Sequence, residues 1–298
     1  MNFADRVEAA VRARRSQIVL GLDPDPLRLL PQALDAAGEG SPADRAAEAV
    51  TAHCRLLIAA SAEACVAVKP QLACFERLGA PGWNALSKVA AAARDAGLLV
   101  IADAKRGDVP HTAEAYGQAL LGETPTPWGA VPGLGADAVT ANPLLGQDSL
   151  EPIVSAVCAR GSGVFVLVRT SNPGAAALQD DGAGEPLHVK LARLVHRLGA
   201  TGKGDCGLSD TGAVVAATRA DMLASFRELM PEAIFLLPGV GAQGGRAEDL
   251  GPAFGPGRGA ALVAASRAIT EPALDAGDAA AAGRTAERLR ETVWKLSG

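Results

Sequence analysis

The segment Asp103-Ala104-Lys105-Arg106-Gly107-Asp108 crowds carboxylates and cations directly after Leu98-Leu99-Val100-Ile101, a run with the composition of a fully buried strand. Charge at the end of a buried strand is costly unless it is paired or chemically used. Side chains alternate along a strand, so Asp103 and Lys105 point to the same side. A carboxylate and an ammonium about 4 Å apart attract by about 4 kcal/mol at intermediate dielectric, enough to keep both ionised. Such a pair is either a proton-handling device at a strand tip or an ion pair that closes a barrel. Lys69 follows Val66-Ala67-Val68, a second buried run, and a lysine there is normally paired or functional. With Asp23, which follows Ile18-Val19-Leu20-Gly21-Leu22, these residues make a candidate alternating Lys/Asp array with coupled protonation.

A second kind of chemistry is suggested near the carboxyl end. Gly239-Val240-Gly241-Ala242-Gln243-Gly244 satisfies the G-x-G-x-x-G dinucleotide pattern. It follows a late apolar run, however, and the next such run ends in Ser266-Arg267 with no acidic residue. Glycine amides followed by an arginine one strand later suit a phosphate site, with Arg267 as a bidentate clamp. The plain alternative is a tight turn and a surface arginine. The histidines carry less: His53, His188 and His196 fall in helical segments, where surface or capping roles are expected, and His111 has no second ligand at metal spacing. No metal site and no Ser/His/Asp arrangement is predicted. Lys203 lacks the rest of a phosphate-binding P-loop and reads as a loop lysine.

Short apolar runs predict strands over 18–22, 65–68, 98–102, 138–141, 163–168, 213–217, 234–237 and 260–264. Alanine-rich amphipathic segments over 43–63, 82–96, 149–160, 187–198, 221–230 and 279–296 predict helices. Regular alternation of strand and helix predicts an α/β fold, a (β/α)8 TIM barrel with extra loops. A doubly wound open sheet is the main competitor. No linker interrupts the chain, so residues 1–298 are read as one domain. Polar residues punctuate the strand ends at Asp23, Lys69, Asp103, Asn142, Ser171, Pro238 onward and Ser266, and in a barrel all of these fall on one rim. Three Gly/Pro-rich stretches intervene. Those at 122–135 and 200–211 are predicted as surface loops, and 172–185 as a contributor to a lid or pocket.

Composition narrows the partners. Aromatic residues are only 3% and the net charge is −5, which argues against a base-stacking or phosphate-backbone binder of nucleic acid. The five cysteines are scattered and odd in number, as expected of reduced, mostly buried thiols in a cytoplasmic protein. The apolar run at 18–20 is too short for a signal peptide, and no stretch approaches a membrane span.

Taken in order, VKPQLACFE at 68–76, DAKRGD at 103–108, TANP at 140–143, RTSNPGA at 169–175, LPGVGAQGG at 237–245 and SR at 266–267 resemble the orotidine 5′-phosphate decarboxylase family, in its longer-chain bacterial branch. The resemblance spans nearly the whole chain. It implies a (β/α)8 barrel acting as a homodimer without metal or organic cofactor. The reaction it implies converts orotidine 5′-monophosphate to uridine 5′-monophosphate and carbon dioxide. By motif, Lys105 would protonate the pyrimidine carbon and Asp103 would lie against the departing carboxylate. Lys69 and Asp23 would engage the ribose hydroxyls, while Asp108 and Thr112 would reach the partner subunit's site. Ser171 would bond the pyrimidine ring, Gln243 and Arg267 would hold the phosphate, and Asn142 joins the substrate-binding set at the fourth strand end. Magnesium-dependent sugar-phosphate decarboxylases and aldolases share D-x-K-x-x-D but carry an acid at the second strand, where this chain has Lys69. A non-catalytic nucleotide sensor is the other alternative, against which the intact Asp103, Lys105 and Asp108 argue.

Overall fold

In a computed structural model that describes residues 1–181 and 184–298, eight parallel strands close into a barrel. They are β1 (Ile18–Leu22), β2 (Ala67–Pro70), β3 (Leu99–Arg106), β4 (Ala138–Ala141), β5 (Gly163–Arg169), β6 (Ser209–Val215), β7 (Ala233–Pro238) and β8 (Ala261–Ala265). Each pairs with its neighbour in sequence, and β8 returns to β1 through Ile18↔Val263 and Leu20↔Ala265. That closure excludes the open sheet. The rim is tight where the ends meet: a β-carbon on Gly21 would lie 2.6 Å from that of Ser266.

Alternation sorts the strand residues into two layers. Ile18, Leu20, Val68, Val100, Ala102 and Val139 pack outward under the helices. Val19, Ala67, Ile101, Ala138, Phe165, Ile234 and Leu262 fill the barrel interior. The same period carries Lys69, Asp103 and Thr140 inward at the carboxyl ends, two residues beyond Ala67, Ile101 and Ala138. The outer helices include α1 (Phe3–Arg14), α2 (Pro42–Ser61), α3 (Gly79–Asp95), α4 (Pro110–Leu121), α5 (Gln147–Arg160), α6 (Leu187–Leu198), α7 (Leu223–Leu229), α8 (Arg267–Ala276) and α9 (Ala280–Leu296). Ser41 starts α2 by accepting the Asp44 N–H, with Pro42 in the first turn. Helix α1 closes the amino end of the barrel, where Phe3 meets Phe165 edge-on at 5.8 Å. No helix among the described residues is long and apolar enough to cross a membrane.

The structure departs from the sequence expectations in definite places. Helices α1, α4 and α8 were not foreseen, and the predicted loop at 122–135 contains an exposed hairpin, Glu123–Thr126 with Gly129–Pro132. Strand β6 begins at Ser209, four residues before its expected start, because its polar first residues are satisfied internally. Ser209 Oγ donates to Gly199 O, Thr211 N donates to Ser209 Oγ, and Asp210 accepts the Ala4 N–H. Between β7 and β8 the crossover consists of 3-10 turns rather than a helix, as Gly251, Pro252, Gly255 and Gly257 dictate. Arg227 pins these turns by donating to the carbonyls of Met230, Ala233, Ala253 and Ala260. Burial alone pushes its guanidinium down to about 9. Of the cysteines, Cys54 and Cys65 are buried but Cys158 and Cys206 are exposed, so the thiols are less sequestered than expected.

Candidate active site

A cavity of about 610 Å³ opens at the carboxyl rim and is lined by residues from all around the barrel, among them Asp23, Lys69, Asp103, Lys105, Asn142, Ser171, Gln243 and Arg267. At its floor Asp103, 5% exposed, is held by four donors. Its Oδ1 accepts from Lys105 Nζ at 2.5 Å and Thr140 Oγ1 at 2.9 Å, and its Oδ2 from Lys69 Nζ and from Gln71 Nε2 at 3.3 Å. Burial by itself would raise the Asp103 carboxyl. The two ammonium groups and their hydrogen bonds outweigh it and hold the carboxyl down to about 2. Burial likewise opposes a charge on Lys69, but Asp103 and then Asp23 raise it above its ordinary value. Asp23 acts through space, since it forms no ion pair among the described residues. Lys105 differs from Lys69 in reach: its side chain is 43% exposed against 10%.

Simple alternation does not carry Lys105 to Asp103. Ala102 pairs with Val139 and Arg106 with Ala141, so Asp103, Ala104 and Lys105 face Thr140 alone. The surplus is absorbed as a bulge at Lys105, whose φ of +48° is rare for a residue with a side chain. Arg106 turns away from the cavity, pairing with Glu76 and lying over Tyr116.

The opposite end of the cavity suits an anion. Gly239, Gly241 and Gly244 have φ values of +102°, +75° and +92°, which a glycine adopts freely. The loop is closed by Gly241 N–H to Gly245 O, Gly244 N–H to Gly241 O and Gly245 N–H to Gly239 O. These bonds leave the Ala242 and Gln243 amides without a partner among the described residues. A β-carbon on Gly239 would lie 3.2 Å from Gln243 Oε1 and 3.6 Å from Ser171 Cβ, so the loop's bare backbone lets these two side chains converge. Arg267 heads α8, adding a guanidinium to the positive end of a helix.

Asp108 and Thr112 do not line this cavity. Asp108 Oδ1 accepts the Val109 N–H at the start of α4. Its loop abuts the one after β4, since a β-carbon on Gly107 would lie 2.5 Å from Asn142 O. Exposed Val109, Leu144 and Leu145 cluster on these two loops. Asn142 reaches the cavity, although its Oδ1 is engaged by the Leu144 N–H.

The segment at 172–185 is anchored near its far end. Arg169 grips Asp180 bidentately at 2.7 and 2.9 Å, and Arg219 adds a contact at 3.1 Å. The Arg169 hydrogen bond lowers the Asp180 carboxyl. Gly182 and Ala183 of that segment lie outside the described residues. His53 and His188 are buried rather than superficial: His53 Nδ1 accepts the Leu30 N–H, and burial lowers the ring to about 4. Lys203 pairs with Glu232, as befits a loop lysine. Among the described residues no group of three or more His, Cys, Asp or Glu side chains is placed to hold a metal ion. Gln71, Thr140 and Arg169 stand within the motifs of the sequence, which assigns none of them a role. Counting two residues from Ala138 would have turned Thr140 inward.

Known proteins resemble this chain closely. A family model described as "Orotidine 5'-phosphate decarboxylase / HUMPS family" matches residues 16–284. An orotidine 5′-phosphate decarboxylase of Deinococcus radiodurans is 42% identical over 273 residues, covering 90% of this chain and 88% of that one. One from Rhodopirellula baltica is 41% identical with the same coverage, 90% and 88%. The solved structure of Leishmania donovani OMP decarboxylase superposes with a TM-score of 0.74 at 30% identity, covering 100% of this chain and 99% of that one.

Proposed function

The chain belongs to the orotidine 5′-phosphate decarboxylase / HUMPS family, and from that premise we propose how its rim decarboxylates orotidine 5′-monophosphate to uridine 5′-monophosphate. The phosphate sits against Arg267, Gln243 and the free amides of the glycine loop. The ribose hydroxyls meet Asp23 and Lys69, and Ser171 bonds the pyrimidine. Asn142 borders the ring from the fourth strand. The substrate carboxylate then lies beside Asp103, with Lys105 Nζ at the ring carbon that bears it. The bond from that carbon to the carboxylate breaks, carbon dioxide leaves, and the electron pair remains on the ring. Lys105 delivers a proton to it and recovers one from solvent.

The observation that carries this assignment is the ionised Asp103 held between two ammonium groups, with an anion site at the other end of the same cavity. A fixed ammonium stabilises developing negative charge in a water-poor site far better than water does. Phosphate binding supplies energy remote from the reacting bond. The Lys105 ammonium stabilises and then protonates the ring carbanion, so the enzyme works without metal or organic cofactor, and Lys69 occupies the position where magnesium-dependent relatives carry an acid. The exposed apolar loops beside Asp108 suit a homodimer in which Asp108 and Thr112 complete the partner's site. The chain acts as one domain in the cytoplasm, where its free cysteines stay reduced.

Mixing the purified protein with orotidine 5′-monophosphate and EDTA tests this directly. The expected result is loss of the orotidine absorbance band with release of one carbon dioxide per uridine 5′-monophosphate. An unchanged spectrum overturns the assignment, and a magnesium requirement redirects it to sugar-phosphate chemistry.

A further inference from the structure

One hydroxyl ties the backbone of Lys105 to the carboxylate of Asp103. The positive φ of Lys105 costs of order 1–3 kcal/mol and persists only where surrounding contacts impose it. The register jump in β3 deprives the Lys105 amide of a ladder partner. Thr140 Oγ1 supplies one, accepting the Lys105 N–H at 2.9 Å. The same oxygen donates its proton to Asp103 Oδ1 at 2.9 Å, and that carboxylate oxygen also receives Lys105 Nζ at 2.5 Å. The result is a closed ring: Thr140 hydroxyl, Asp103 carboxylate, Lys105 ammonium, Lys105 backbone. Thr140 is 1% exposed, so water cannot readily replace its hydroxyl. Gln71 secures the other carboxylate oxygen and leaves Oδ1 to this ring.

We infer that Thr140 is the positioning residue that fixes Lys105 Nζ and Asp103 relative to each other for proton delivery, an inference that rests on the proposed decarboxylation. Without the hydroxyl the Lys105 amide loses its acceptor, and the carboxylate loses one of the donors that fix its rotation. The phosphate end, formed by β7 and β8, is untouched. The loss therefore falls on kcat and spares binding.

The test compares Thr140→Val, which keeps the shape and removes the hydroxyl, with Thr140→Ser, which restores it, and Thr140→Cys, which weakens the hydrogen bonds. Displacement of a reacting group by a fraction of an ångström predicts a kcat roughly 10–100-fold lower in Thr140→Val, with KM and uridine 5′-monophosphate affinity within about threefold of wild type. Thr140→Ser should return to within about threefold of wild type, and Thr140→Cys should fall between the two. Exchange of the Lys105 amide with solvent, read without substrate, should accelerate at least about tenfold in Thr140→Val. Thr140→Val at the wild-type kcat, Thr140→Ser as slow as Thr140→Val, or unchanged Lys105 exchange each overturns the inference. Because the exchange readout needs no turnover, a wild-type protein that fails to decarboxylate counts against the proposed reaction and leaves the positioning role open to refutation separately.

Discussion

Replacing Asp103 with asparagine keeps the shape of the side chain and removes its charge, leaving two ammonium groups in very different surroundings. Lys69 is 8% exposed, so Asp103→Asn leaves a buried cation whose ion-pair partner is gone. Removing one member of a buried pair costs about 3–5 kcal/mol. Asp23, still within electrostatic range, and the new amide oxygen place the expected loss at the lower end, about 3 kcal/mol at pH 7. The more exposed Lys105 adds less than about 1 kcal/mol. The pH dependence carries a sign that distinguishes this account from a general packing defect. In the wild type, Asp103 is held at about 2, below its unfolded value, so its contribution is present above about pH 4 and is lost as pH falls through 2. The variant lacks that acid limb. In it, burial without the Asp103 charge drives Lys69 below its unfolded value. The unfolded chain then binds more protons, and stability rises with pH toward 10. Guanidinium denaturation at pH 6, 7.5 and 9 and one fixed protein concentration measures both effects. Adding Lys69→Met to Asp103→Asn should recover most of the loss, because the stranded charge is gone. A deficit below about 1 kcal/mol at pH 7, or one that does not shrink at pH 9, refutes the reasoning.

Lys105→Ala should lower kcat by at least about 10³-fold while leaving uridine 5′-monophosphate binding nearly intact, measured by initial rates and calorimetry. Arg267→Ala should raise KM for the nucleotide about 10–100-fold, the worth of a charged hydrogen bond, and leave turnover of unphosphorylated orotidine unchanged. If Asp108 completes the partner's site, Lys105→Ala and Asp108→Asn are each inactive alone. Refolded together at equal amounts, they should recover about a quarter of the wild-type rate, since half the molecules are mixed dimers with one intact site. No recovery would confine Asp108 to its own subunit.

The barrel was legible because its evidence is periodic. Seven of the eight buried runs were punctuated at their ends, and in a parallel barrel every such end faces one rim. The same logic located Asp23, Lys69, Asp103, Ser171, Gln243 and Arg267 at one cavity. Failures came where a local signal was contradicted by a distant partner. Ser209, Asp210 and Thr211 look like loop residues until Gly199 and Ala4 supply their hydrogen bonds. Gly251, Pro252 and Gly255 did suppress a helix, but nothing nearby shows that Arg227 would hold the resulting turns. Helix α4 was not legible for a different reason: it opens with Pro110 directly after the charged DAKRGD segment, and its buried face rests on only Ala113, Gly117, Leu120 and Leu121. Thr140 was overlooked because its task exists only once β3 has slipped against β4.

That slip matters for the reaction. A regular strand would space Asp103 and Lys105 by the pleat, whereas the bulge closes them to 2.5 Å and still leaves the Lys105 side chain 43% exposed toward the cavity. Asp103 cannot swing away from an incoming substrate carboxylate, because Lys69, Gln71, Lys105 and Thr140 occupy its acceptor positions. In the proposed reaction the negative charge moves from that carboxylate to the adjacent ring carbon, next to Lys105, while the protein's own charges stay where they are. Stabilisation of this kind requires groups fixed before the charge arrives. The cost of fixing them, a strained lysine backbone and a buried ion pair, is met at folding by the β3–β4 contact and does not recur in each turnover.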